Sequence, residues 1–312
     1  METTSTTPAR VPGWGASLVA HARSHPAASI ALVVAALALL AMLAVGLPRP
    51  AAANADSALA LAFVAGMACF GANALGALPA LLLPSISKRV EHVLLGVAAG
   101  MMLAASFFSL LVPAIDVATT LTGERAGALL VVVAGLALGT LLMLGLDAFT
   151  PHAHDHSGAC GPGSGRVGRV GLLAFAIALH NLPEGMAVGV AFADADVSIG
   201  MPVAGAIALQ DMPEGLVVAL ALRAAGIGAW RAVLVSIATG ALEPVGALLG
   251  VALSSGFALA YPLGLALAAG AMLFVVSHEV IPETHGEGHE TPATVALMVG
   301  FALVMVVDAL YG

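Results

Sequence analysis

Charge is scarce in this chain. Of its 312 residues, 9% are charged, against roughly 25% in soluble domains. Hydrophobic residues make up 60%, and the mean hydropathy is +1.05. So few charges cannot cover the surface of a soluble domain this size, so the chain is a polytopic membrane protein. Cysteine is nearly absent too, with Cys69 in an apolar run and Cys160 in a polar loop. Two such positions exclude a disulfide framework and a thiolate-built metal site, and each reads as a small inert residue. The Gly-rich loop PHAHDHSGACGPGSGRVGR lacks the GxxxxGK[ST] spacing of a nucleotide-binding loop. No ATP-binding or phosphorylation motif is in view either. Nothing in the composition suggests nucleic acid as a partner. The net charge of −8 says little about surface partners, because many of the 18 acids lie inside apolar runs.

What is present is a series of apolar runs of the roughly 20 residues that a spanning helix needs. Nine are expected, near 26–48, 57–84, 90–115, 126–149, 169–194, 200–223, 228–254, 258–281 and 292–311. Polar or Gly/Pro-rich breaks separate them. The first run, followed by AAANA, also resembles a signal peptide, but its apolar core exceeds the usual 7–15 residues, so a retained helix is expected. With nine spans, eight Lys and Arg fall on one side and two, Arg49 and Arg125, on the other. The positive-inside rule then puts the N-terminus, the loop holding His152, His154 and His156, and the 282–291 loop in the cytoplasm, with the C-terminus outward.

Ionisable groups at membrane depth cost several kcal/mol each, which makes every one a functional candidate. Here they are Asp116, Asp147, His180, Glu184, Asp211, Glu214, Glu243, His278, Glu279 and Asp308, while the apolar cores hold no Lys or Arg. These acids are therefore either protonated or compensated by a bound cation. Six-residue motifs decide between the two: HNLPEG at 180–185 and QDMPEG at 210–215. His180 and Glu184 are i,i+4 and share a helix face, as do Gln210 and Glu214. Asn181 and Asp211 each lie three residues before their glutamate. Pro183 and Pro213 have no amide hydrogen, which frees the carbonyls of Leu179 and Leu209. Two such helices crossing at the midplane build a cation site with room for two ions bridged by the glutamates. Matched motifs on spans of opposite direction imply a pseudo-two-fold axis in the membrane plane, a mark of inverted-repeat transporters.

Flanking spans add candidates. LEPVG at 242–246 repeats the Glu/Pro pair with Glu243. Met102 offers a thioether or simple packing. HEVIPETH at 278–285 carries His278 and Glu279 but fails as HExxH, because position 282 is Pro. Asp116 and Asp308 at outward helix ends, and Asp147 at an inward one, either attract cations or are merely solvated. The loop histidines, with Asp155, suit transient metal capture or belong to a plain polar loop.

HNLPEG, QDMPEG, the Glu-Pro pair and HEVIPETH together resemble the ZIP (Zrt/Irt-like) family of divalent-metal transporters, in particular bacterial members with an extra N-terminal helix, over roughly 57–312. The resemblance implies an all-α polytopic membrane protein, about eight core transmembrane helices in inverted repeats plus the extra one. Residues 1–50 would form the N-terminal segment and 51–312 the transporter domain, with a cytoplasmic His-containing loop at 150–168. It also implies a two-metal site. Met102, His180, Glu184, Gln210 and Glu214 hold one ion; Asn181, Asp211 and Glu243, with the bridging glutamates, hold the other. Ser109, Asp116 and Asp308 would mark the outer entrance, and Asp147, His278, Glu279 and the loop histidines the inner exit. Members of the family vary at the position of Asn181. Metal is then substrate rather than cofactor: zinc foremost, with iron, manganese or cadmium as others, imported across a bacterial inner membrane by a homodimer whose one helix bundle slides against the other. The rival is an intramembrane di-metal hydrolase, which also needs buried His and acids.

Overall fold

The computed structural model describes residues 14–46, 55–149, 152–154, 158–160, 181–285 and 288–311. Helices account for nearly all of it. A short helix α1 (Trp14–Ser24), not anticipated from the sequence, leads through His25 into α2 (Pro26–Gly46). There follow α3 (Ala55–Ala77) with a 3-10 turn over Leu78–Leu81, α4 (Lys88–Ala104), α5 (Val112–Thr122) and α6 (Arg125–Phe149). Next come α7 (181–191), α8 (Val197–Ala224), α9 (Ala229–Gly240), α10 (Leu242–Ser254), α11 (Ala260–Val275), α12 (Ile281–Thr284) and α13 (Glu290–Tyr311). In the polar loop, β1 (His152–His154) pairs antiparallel with β2 (Gly158–Cys160), His152 opposite Cys160.

Eight segments among the described residues are long and apolar enough to cross a bilayer, and they match eight of the nine expected runs. The remaining run, 169–194, lies partly outside the described residues; its described part, α7, is helical and buried. Of the Pro26–Val45 window 17% is buried, against 78% of the Ala260–Thr284 window. The first span is therefore peripheral, and α11 runs through the middle of the bundle.

Lipid is as apolar as a leucine side chain, so burying leucines gives helices no reason to associate; close backbone approach does. Three helix pairs achieve it with glycines four apart. A Cβ on Gly185 or Gly189 of α7 would lie 2.1 and 1.9 Å from the carbonyl oxygens of Glu243 and Ala247 of α10. Gly246 and Gly250 of α10 meet Leu182 and Met186 in return. Gly96 and Gly100 seat α4 on Ala293 and Leu297 of α13, while Gly135 and Gly139 seat α6 on Leu263 and Leu267 of α11. The fourth contact, α3 with α8, uses Gly76 against Met212 and Gly215 against the carbonyl of Asn73. Arg223 ties it at one end, its Nη1 donating to the carbonyls of Ala80 and Leu83 beside the 3-10 turn.

Proline sets where the helices are interrupted. Two π-helical segments, Ala105–Leu111 and Val276–Val280, stand directly before helices that begin Val112-Pro113 and Ile281-Pro282. A proline cannot donate to the carbonyl four residues back, here that of Ser109 and of His278. The chain widens instead: the amide of Val112 reaches Phe107 and that of Ile281 reaches Val276, both five residues away. Pro244 likewise deprives the carbonyl of Gly240, and the 228–254 run, expected as one helix, breaks into α9 and α10 at Ala241. In α8, Pro202 and Pro213 are accommodated without interruption over 28 residues.

Candidate metal centre

Four helices meet where the two glutamate motifs stand. From α7 come Asn181 and Glu184, from α8 Gln210, Asp211 and Glu214, and from α10 Glu243; α3 lies against both α8 and α10. The α7–α10 glycine contacts bring the carbonyl of Glu243 onto Gly185, the glycine of the first motif, and the α3–α8 contact does the same for Asn73 and Gly215, the glycine of the second. Asn73 thus holds in α3 the place that Glu243 holds in α10. Because Pro244 breaks the preceding helix, Glu243 falls in the first turn of α10, where the positive end of the helix dipole favours a carboxylate.

The donors are close and dry. One oxygen each of Glu184, Asp211 and Glu214 lie within 4.8 Å of one another. Gln210 Nε2 donates to Glu184 Oε1 at 2.5 Å. Glu184, Gln210 and Glu243 are fully buried, Asn181 and Asp211 are 1% exposed, and Glu214 is half-buried. Glu184 Oε2, Gln210 Oε1, Asp211 Oδ2, Asn181 Oδ1, Asn73 Oδ1 and both carboxylate oxygens of Glu243 have no hydrogen-bond partner among the described residues. A buried oxygen left so costs about 1–3 kcal/mol, more if charged. Seven of them on the four helices that meet here supply the kind of donors a site for a hard or borderline cation requires.

Toward one end of the bundle, Ser109 Oγ in the first π segment donates to Asp308 Oδ1 of α13 at 2.9 Å. At the other, His278 in the second π segment stands 3.6 Å from Asp147, near the end of α6. Both pairs join residues expected on one route. Asp116 is exposed on α5, while Glu279 is half-buried beside His278. Met102 is 2% exposed, within the main apolar cluster that also holds Cys69 and Val203.

The chain is 56% identical over 293 residues to the zinc transporter ZIPB of Bordetella bronchiseptica, covering 94% of this chain and 95% of that one. It belongs to the ZIP family. The family's model, described as ZIP zinc transporter, matches residues 162–308. The zinc transporter GufA of Myxococcus xanthus is 43% identical over 250 residues (80% of this chain, 98% of the relative), and human zinc transporter ZIP11 is 32% identical over 323 (77% and 94%).

Some expected ZIP residues lie outside the described ones: His180, and His156 and Asp155 of the loop; His152 and His154 lie on β1, where the backbone alone is described. Conversely, Cys69 and Asn73, four residues apart on α3, escaped the sequence reading. Cys69 Sγ, Asp211 and Glu243 form a second group with ligand atoms within 4.8 Å of one another. A small residue in an apolar run reads as packing. The available signal was Asn73 itself, a polar residue in a run of Ala, Gly and Phe, one turn from a cysteine.

Proposed function

We propose that this protein is a secondary transporter that carries divalent transition-metal ions, zinc foremost, into the cytoplasm through a binuclear site at mid-membrane. The observation carrying this reading is the convergence of unpartnered buried oxygens from α7, α8 and α10 in a family whose reported relatives are named zinc transporters. His180, Glu184, Gln210 and Glu214 with Met102 hold one ion. Asn181, Asp211 and Glu243 hold the other, and the two motif glutamates bridge them. Oxygen and nitrogen donors with one thioether suit zinc, iron(II) or manganese, and cadmium as a mimic; copper(I) wants several soft sulfurs. Carboxylates also let an ion go, which a transport site needs as much as binding.

Ions enter past Ser109, Asp308 and Asp116 and leave past Glu279, His278, Asp147 and the loop histidines. The N-terminal segment to about residue 50 adds a peripheral helix to a transporter domain over 51–312, in the inner membrane of a bacterium, acting as a homodimer. The hydrolase reading gains no support from these relatives. The test is zinc uptake into proteoliposomes. Glu184→Gln or Glu214→Gln keeps the shape and removes the charge serving both ions, so uptake should be lost; full uptake by Glu214→Gln would refute the bridging assignment.

A further inference from the structure

On the α3 side of the candidate metal centre, the Asp211 and Glu243 carboxylates approach a sulfur. Cys69 Sγ and one oxygen of each lie within 4.8 Å of one another. All three residues are at most 1% exposed. Around that sulfur the polar atoms are unspent: Asp211 Oδ2 and both oxygens of Glu243 lack a hydrogen-bond partner among the described residues. The thiol's own contact is a hydrogen bond to the carbonyl of Ala204 at 3.6 Å, weak because a thiol is a poor donor. One turn along α3, on the same face, Asn73 Oδ1 is also unpartnered. A Cβ on Gly240 would lie 3.2 Å from Asn73 Nδ2 and 3.3 Å from Glu243 Oε1, so that carboxamide sits beside the same carboxylate. Asp211 belongs as well to the group with Glu184 and Glu214. The two groups therefore share a member and form one continuous row of donors from α7 to α3.

We propose that Cys69, Asp211 and Glu243 form a further metal position with a sulfur donor, contiguous with the binuclear centre and taking thiophilic divalent ions, zinc or cadmium. The position rests on the transport reading above. Zinc bound by one sulfur at about 2.3 Å and oxygens at about 2.0–2.2 Å sets its donors roughly 3.5 Å apart, so donors already within 4.8 Å of one another need to close by no more than about 1.3 Å on an ion. On binding, the metal–sulfur bond forms as the S–H bond breaks, and the proton passes to solvent. The consequence is selectivity. A thiolate strengthens binding of soft and borderline ions and adds little for manganese, which prefers oxygen. Cys69 thus tilts a carboxylate site toward zinc and cadmium.

The experiment uses the full chain carrying Cys160→Ser, titrated with cadmium alone. The chain has two cysteines, so in that variant a thiolate-to-cadmium charge-transfer band in the ultraviolet can come from Cys69 alone; a thioether such as Met102 does not give it. The band should appear and saturate as cadmium binds. Adding Cys69→Ser should abolish it and weaken cadmium relative to manganese by no less than the roughly 10-fold that loss of an outer-sphere partner costs. Cadmium bound by Cys160→Ser without the band, as measured by equilibrium dialysis, overturns the sulfur position and leaves the carboxylate centre standing. No bound cadmium at all overturns both. Neither result depends on the Cys69 variant folding.

Discussion

Adding one methyl group to Gly185 should disable transport without unfolding the protein. In α7, a Cβ at this position would lie 2.1 Å from the carbonyl oxygen of Glu243 and 2.7 Å from its carbonyl carbon and Cα. Real Cβ atoms essentially never come within 3.0 Å of such neighbours, and the obstacle is backbone, which has no rotamer to escape into. Gly185→Ala must therefore part α7 and α10 locally by about 0.9 Å, the gap between 2.1 and 3.0 Å. Overpacking of this kind costs about 1–3 kcal/mol, which a bundle with three other glycine-seated contacts should survive. The metal centre should not. Asn181 and Glu184 ride on α7 and Glu243 on α10, and metal–ligand distances tolerate about ±0.2 Å. By analogy with the roughly 100-fold that a 1 Å misplacement costs a catalytic site, zinc uptake should fall on the order of 100-fold. Gly205→Ala is the control: nothing lies within 4 Å of its added Cβ. The assay is zinc uptake into proteoliposomes, with size-exclusion profiles to establish that both variants assemble. Wild-type uptake by Gly185→Ala, or equal damage from Gly205→Ala, would refute the argument that helix spacing sets ligand spacing.

Other consequences are as open to measurement. Cys160, at the end of β2 in the loop assigned to the cytoplasm, should resist a membrane-impermeant thiol reagent in intact cells and react after permeabilisation; labelling from outside would put the span count wrong by one. Asp196 caps α8, its Oδ1 accepting from Ser198 N at 2.8 Å and Ser198 Oγ at 2.6 Å, so Asp196→Ala should cost about 1 kcal/mol of thermal stability. Those two donors hold the Asp196 carboxyl below its ordinary value of 3.8. The cap therefore stabilises the fold above that pH and loses its effect as pH falls through the depressed value; a deficit of Asp196→Ala undiminished well below pH 3.8 would contradict this. Ser109→Ala removes the hydrogen bond that orients Asp308, and should raise KM for zinc by roughly 2- to 10-fold with little change in maximal rate; an unchanged KM would remove the pair from the entry route.

The spans were legible because apolar length is a strong signal: Arg125–Phe149 and Glu290–Tyr311 begin and end within two residues of where the hydropathy suggests. Interruptions within spans were harder to read. One continuous helix was expected over 90–115, where a π segment intervenes, and over 228–254, where Ala241 divides α9 from α10. Yet the cause is written in the chain: Pro113, Pro244 and Pro282 each stand four residues after a carbonyl they cannot serve. Reading every mid-span proline backward by four would have marked Ser109, Gly240 and His278. Within the two motifs, the i,i+4 and i,i+3 spacings pointed to Glu184, Gln210, Asp211 and Glu214, which the fold brings together, because local helical geometry dictates those relations; His180 lies outside the described residues. Cys69 and Asn73 were invisible for the opposite reason. Only the docking of α3 on α8 and α10 gives them carboxylate neighbours, and that docking is a tertiary event carried by glycines whose spacing does not name a partner.

Those glycine contacts also bear on how the chain enters the bilayer during synthesis. Among the eight candidate spans, Val197–Ala224 has the lowest hydropathy, 1.4, because Gln210, Asp211 and Glu214 sit at its middle. Acids at a helix centre each weigh about +2.5 to +3.5 kcal/mol against insertion, so of these eight α8 is the least able to partition alone. Its partner α3, with the small face around Gly76 that receives Met212, is made well before it and is already in the membrane. For α7 the order is reversed, since α10 emerges only after α8 and α9. The first glutamate motif must therefore wait in the membrane without its α10 neighbour Glu243, while the second meets a preassembled surface. The two matched motifs are in this way unequal in time, and the candidate metal centre is complete only when α10 closes on α7.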